Sequence, residues 1–242
     1  MFGNEFYPTP KKIIDKMLEG IDFKLVSSVL EPSAGKGDIV ESVIKKLEQC
    51  HSYSYNQSAK WDIDTVEINE NLQHILRGRG CRVVHNDFLT YHTYKKYNLI
   101  VMNPPFSNGE KHLLKALEMQ QGGGKVVCLL NAETLENPYS NSRKELLTKL
   151  EDYDAEVEYI NDAFLDAERK TPVRIALIKV NIEQAQDDSI ILNELRKEER
   201  FEEQAATSSY NQIIDADFIK GIVEQYNFEV RAGLKLIAEW RA

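Results

Sequence analysis

Apolar residues along the chain come in two textures: short unbroken runs, and stretches in which they recur every three or four positions. A run such as Leu99-Ile100-Val101-Met102 predicts a strand buried on both faces. The periodic stretches predict helices, with Ile13, Ile14, Met17 and Leu18 on one apolar face and Ile39, Val40, Val43, Ile44 and Leu47 on another. In chain order this gives a helix after Pro10, a strand to Leu30, a helix from Ile39, a strand to Glu67 and a helix over 72–76. Strands follow at 81–85 and 99–102, then a helix at 110–119, a strand at 125–130, a helix at 143–150, and strands at 156–160 and 173–180. Such alternation predicts a Rossmann-like α/β fold, a doubly wound and mainly parallel seven-stranded sheet closing with a C-terminal β-hairpin.

Beyond residue 181 the texture changes. Residues 190–203 are heavily charged, Ala205-Ala206-Thr207-Ser208-Ser209 resembles a linker, and 217–240 has helical spacing with Phe218, Ile222, Val223 and Tyr226 on one stripe. The expected division is a folded domain over 1–181 and a charged linker with a helical tail over 182–242. The last pattern runs to the end of the chain without a cap or glycine, which fits a tail packed on the body, a partner helix or a cut end.

Composition narrows the class. With 42% hydrophobic and 29% charged residues in 242, the chain is of globular type and long enough for a sizeable core. No apolar run approaches a membrane span, and the polar start Met1-Phe2-Gly3-Asn4-Glu5 is unlike a signal peptide, so a cytoplasmic location is expected. Three scattered cysteines, Cys50, Cys81 and Cys128, fit a reducing compartment and read as packing residues. The five histidines have no metal-ligand spacing, so no metal site is expected.

Candidate chemistry collects where predicted strands end. The run 99–102 stops at Asn103-Pro104-Pro105-Phe106, because consecutive prolines cannot donate to a ladder and hold the chain extended. The result is a rigid elbow at the carboxyl edge, where open α/β sheets bind ligands. It suits an exocyclic aromatic amine, whose lone pair is delocalised into its ring. The Asn103 side-chain oxygen and the Pro104 carbonyl could accept its two N–H groups and stabilise charge developing on nitrogen. Pro105 fixes the turn, and Phe106 offers a face for a planar base. A plain Pro-Pro turn with Phe106 in the core is the alternative.

Three other strand ends carry polar groups. After Leu30 comes Glu31-Pro32-Ser33-Ala34-Gly35-Lys36-Gly37, a glycine turn that permits close approach to backbone. It is neither a dinucleotide fingerprint, since Val40 stands where the third glycine belongs, nor a phosphate loop, since Gly37 follows Lys36. The strand through Val66 ends at Glu67, about thirty residues on, one β-α-β unit later. A carboxylate there suits two ribose hydroxyls, or else the start of the following helix. The third strand ends in Asn86-Asp87-Phe88-Leu89, by itself a turn. At the front, Thr9 before Pro10 reads as a helix cap.

Asn-Pro-Pro-Phe resembles the catalytic motif of S-adenosylmethionine-dependent amino-methyltransferases, and the chain is most similar to DNA N6-adenine methyltransferases. The resemblance extends to Glu-Pro-x-x-Gly-x-Gly and to Tyr7-x-Thr9-Pro10, and covers about three-quarters of the chain. It implies that Tyr7, Thr9 and Pro10 close over the methionine end of S-adenosylmethionine. Glu31, Pro32, Ser33, Gly35 and Gly37 would line the same portion, with Glu67 on the ribose and Ile68 beside it. Asp87 would accept from the cofactor's adenine amino group while Phe88 flanks its ring, and Asn103 would border both cofactor and target. A flipped-out adenine would be received by Phe106 and methylated at N6, as in restriction-modification enzymes, with RNA bases, protein glutamine and an idle cofactor-binding partner as alternatives. Arg169, Lys170 and Arg174, in and just after the connector 161–172, form either a solvated tip or a phosphate-contacting edge. The net charge of −9 argues against tight unaided DNA binding, so a partner subunit or a further C-terminal region is expected to supply DNA recognition.

Overall fold

The computed structural model describes residues 8–50, 61–161, 173–183 and 230–231. The chain falls into two compact units, Met1–Gln184 and Ala185–Ala242; of the second, only a helical step at Val230 and Arg231 is described. Tyr7, Arg169, Lys170 and the stripe from Phe218 to Tyr226 lie outside the described residues.

The first unit is built on a seven-stranded sheet of order β3-β2-β1-β4-β5-β7-β6. Its strands are β1 Ser28–Glu31, β2 Asp62–Val66, β3 Arg82–His85, β4 Leu99–Met102, β5 Gly124–Asn131, β6 Glu156–Ile160 and β7 Ile175–Ile182. All pairings are parallel except those of β7, which runs antiparallel to both β5 and β6. The expected doubly wound sheet with a final hairpin is the observed one. Its strand order reverses direction between β1 and β4, and a doubly wound sheet opens a ligand crevice outside the carboxyl ends at that point.

The helices are α1 Lys11–Leu18, α2 Asp38–Cys50, α3 Glu70–Gly78, α4 Gly109–Met119, α5 Glu133–Glu136 and α6 Asn141–Asp152. One apolar layer joins Ile13, Ile14, Met17 and Leu18 of α1 and Ile39, Val40, Val43 and Leu47 of α2 to Val29, Leu99, Val101, Val127 and Leu129 of the sheet. The other joins Leu113, Ala116 and Leu117 of α4 and Leu146 and Leu150 of α6 to Leu30, Ile100, Met102, Val126, Cys128 and Leu130. Strand β4 therefore sends alternate side chains into both layers, and all four are buried completely. At about 1.5–3 kcal/mol for each such side chain, β4 is a firm root for whatever projects from its end.

Two short turns leave no periodic signal in the sequence. Between β5 and α6 lies the single turn α5, too short to show a period. Between β3 and β4 only a 3-10 turn, Phe88–Thr90, intervenes. In that part of the chain Asp64, 2% exposed, accepts from Arg82, from Lys95 Nζ (2.6 Å) and from Tyr97 Oη (2.9 Å). A buried carboxylate requires such pairing, and nothing in the residue spacing predicted this one. Of the cysteines, Cys128 is buried, with desolvation pushing its thiol well up, but Cys50 is exposed, so the packing role expected of it is corrected.

Candidate active site at the strand ends

The glycine turn is held by carboxylates. Gly35 and Gly37 adopt φ of +55° and +90°, the left-handed region that side chains resist. A Cβ on Gly37 would also sit 3.0 Å from Leu76 Cδ2. Glu31, 1% exposed, accepts from the Val40 amide in the first turn of α2 at 3.1 Å. Burial pushes its carboxyl well above the ordinary range, against the pull of that hydrogen bond. Glu67, 8% exposed, takes the Gly35 amide on Oε2 at 2.8 Å and the Asn69 amide on Oε1 at 2.9 Å. Its pKa is likewise raised by burial, partly offset by backbone donors. The structure thus joins two residues that the sequence placed thirty positions apart. The Ile68 amide donates to Glu67 as well, and a carboxylate has about four lone-pair sites, so Glu67 can still accept a hydroxyl. Beside it Ile68 is 70% exposed, an apolar surface that a flat ring could cover.

At the end of β3, Asp87 accepts from the Leu89 amide at 2.9 Å and caps the 3-10 turn. Phe88 differs from expectation. Its ring is 2% exposed and packs against His112 (centroids 5.7 Å apart), with Lys115 Nζ at 5.5 Å. The ring belongs to the core because the 3-10 turn rotates it inward, so it supports Asp87 from beneath rather than flanking a bound ring.

At the end of β4 the elbow forms as predicted. Pro104 is buried, Pro105 and Phe106 are half-buried, and Phe106 packs on the α1–α2 layer. The Pro105 carbonyl accepts from Asn108 N at 3.1 Å, closing the turn into α4. Gly109 fits tightly there, since a Cβ would lie 2.6 Å from Leu130 Cδ2 and 3.9 Å from Pro104 Cγ. Asn103 Nδ2 donates to Thr9 Oγ1 at 2.9 Å. Thr9 is therefore not the helix cap expected of it: α1 begins at Lys11 behind Pro10, with no side-chain cap. Its hydroxyl instead orients an amide 94 positions away by accepting one N–H of the Asn103 side chain.

The Arg174 guanidinium pairs with Glu136 and stacks on Tyr159 at 4.6 Å, while its carbonyl accepts from Ala132 N at 3.0 Å. These contacts tie the start of β7 to α5 and leave the side chain about half exposed. Cavity size does not mark the site: a cleft of about 820 Å3, lined by Glu19, Lys125, Asp154, Lys179 and Asn181 among others, lies at the opposite edge of the sheet. Among the described residues no helix is long and apolar enough to cross a membrane, and no group of three His, Cys, Asp or Glu could hold a metal.

Comparison with known proteins adds to this geometry. The family described as Methyltransferase small domain matches residues 15–128. Type II methyltransferase M.CvrRI of Paramecium bursaria Chlorella virus XZ-6E is 29% identical over 114 residues, 46% of this chain and 27% of that protein. Among solved structures, a protein described as the modification subunit of a type I restriction enzyme from Vibrio vulnificus YJ016 superposes with a TM-score of 0.57 at 16% identity, over 75% of this chain and 46% of that one. The type I restriction-modification methyltransferase subunit of Streptococcus thermophilus gives 0.54 at 13%, over 75% and 45%. The chain thus spans about a quarter of the curated relative and under half of either structure.

Proposed function

We propose that this chain, a class I S-adenosylmethionine-dependent methyltransferase by fold and resemblance, transfers a methyl group to N6 of adenine in DNA. One observation carries the reading: the Thr9–Asn103 hydrogen bond joins the aromatic-x-Thr-Pro segment to the Asn-Pro-Pro-Phe elbow. The fold's cofactor is S-adenosylmethionine, and the residues present fit it. Positive-φ glycines leave backbone open to a ligand, Glu67 has lone pairs for a ribose, and Ile68 offers an apolar face.

When bound, the cofactor supplies an electrophilic methyl group on sulfur. Thr9, Pro10, Glu31, Pro32, Ser33, Gly35 and Gly37 would line its methionine end, a role also expected of Tyr7 outside the described residues, while Glu67 and Ile68 would hold its ribose and adenine, and Asp87 its amino group. The Asn103 oxygen and the Pro104 carbonyl accept the two N–H groups of the target amine. They draw its nitrogen toward tetrahedral geometry and stabilise its positive charge as the new N–C bond forms. Held in line, the amine would need no covalent intermediate with the protein: the N–C bond would form as the sulfur–methyl bond breaks, S-adenosylhomocysteine would leave as a neutral thioether, and the methylated nitrogen would give one proton to water. Phe106 stacks on the extruded base. With a net charge of −9, the chain relies on a partner subunit or a further region for grip on DNA.

Tritium transfer from labelled S-adenosylmethionine to DNA, RNA and a protein extract tests this. Label recovered as N6-methyladenine in DNA is the expected result, falling roughly 100- to 1000-fold in kcat for Asn103→Ala, the loss typical of one electrostatic contact to a transition state. Label only in RNA or protein keeps the mechanism and overturns the substrate.

A further inference from the structure

The loop between α5 and α6 carries an aromatic ring that the methyl-transfer chemistry leaves unused. Tyr139, in the loop between α5 and α6, is 72% exposed. It is nonetheless held firmly. The Arg143 guanidinium lies against its ring, 4.3 Å from the centroid. Arg143 Nη1 also donates to the carbonyls of Asn137 at 3.0 Å and Glu133 at 3.4 Å. Ser140 Oγ caps α6 by accepting from Arg143 N at 3.2 Å, which fixes the base of the same loop. The guanidinium holds the ring in place from one side while the ring stays largely in solvent, so a flat partner would meet an aromatic face already oriented.

The position fits a substrate. Strand β5 runs parallel to β4 with Met102 opposite Cys128, so Asn131 and the loop beyond it leave the sheet at the edge where Asn103 leaves it. Leu130 packs against Gly109 at the foot of the elbow, coupling the two segments. Charge adds a second reason. An acidic chain gains little from phosphate attraction, whereas stacking on an aromatic face needs no positive charge and is worth a comparable amount for every base type.

We infer that Tyr139, buttressed by Arg143, is a stacking platform for an unpaired base adjoining the target adenine, and so a substrate-positioning residue. The inference rests on the DNA reading above and extends it to a second point of contact.

The test is affinity for a fluorescein-labelled single-stranded adenine-containing oligonucleotide, read by anisotropy without turnover, in wild type, Tyr139→Ala and Tyr139→Phe. Tyr139→Ala is expected to bind roughly 5- to 100-fold more weakly, the equivalent of one lost stack, while Tyr139→Phe binds like wild type. In turnover, Tyr139→Ala raises KM for DNA and leaves kcat and the Kd for S-adenosylmethionine near wild type. Because the ring is exposed, unchanged thermal midpoints are expected for both variants and verify that they fold. Tyr139→Ala binding within twofold of wild type overturns the platform, as does a wild type that does not bind the oligonucleotide. A wild type that binds it but transfers no methyl to DNA overturns the activity reading instead, and the affinity comparison still decides the platform.

Discussion

Glu31 and Glu67 sit where burial works against their own charge, and that makes them proton-linked. Both have pKa values raised from the usual 4.5 in the folded protein. From that value up to the shifted one the folded state binds more protons than the unfolded chain, so stability falls as pH rises through the window. Glu31→Gln keeps an acceptor for Val40 and removes the titration; it is expected to flatten the decline of the thermal midpoint as pH rises above the ordinary carboxylate range, and an unaltered slope would reject the assignment. A cofactor ammonium beside Glu31 favours its charged form, so binding is expected to release protons and tighten as pH rises. Calorimetry in buffers of different ionisation heat would show this, and equal heats in all buffers would exclude it. The identities of these carboxylates were legible because each ends an apolar run. What Phe88, Thr9 and Arg174 do was not. Whether Phe88 turns in, whether Thr9 bonds its own helix or Asn103, and whether Arg174 faces solvent or Glu136 are settled by neighbours far along the chain.

Among the elements, β4 and the glycine turn do the positioning. The turn cannot be relaxed by a small change: Gly37→Ala places a methyl at φ +90° and 3.0 Å from Leu76 Cδ2. A cost of about 1–3 kcal/mol is expected, visible as a lowered thermal midpoint together with weaker S-adenosylmethionine binding. A variant as stable as wild type would mean that the turn adapts. The strand pattern was readable because every strand from β1 to β7 ends in a polar or proline break. The turn α5 and the 3-10 turn at Phe88–Thr90 were not, being shorter than one period of the signal they would need. The Asp64 cluster escaped for a different reason, since Asp64, Arg82, Lys95 and Tyr97 meet only once β2 and β3 are paired. Asp64→Asn is expected to destabilise by about 1–3 kcal/mol by weakening those buried charge-assisted bonds; an unchanged denaturant midpoint would make the cluster incidental.

For the whole molecule, the division at Gln184 leaves every proposed cofactor residue in the first unit. A chain ending there is expected to bind S-adenosylmethionine within about twofold of the full chain, as separately folding domains do, and a fragment that folds but does not bind would refute this. The Thr9–Asn103 bond has a consequence for synthesis. A chain emerging from the ribosome can pair β1 with β2 and collapse α1 and α2 early, yet the Asn103 amide gains its orienting hydroxyl only after residue 103 has emerged and folded back. Closing so long a loop is among the slower steps of assembly. A nascent or refolding chain would thus acquire native-like circular dichroism before it acquires the methyl transfer proposed for it, and the lag between those two signals would time the docking of the chain's beginning onto its middle.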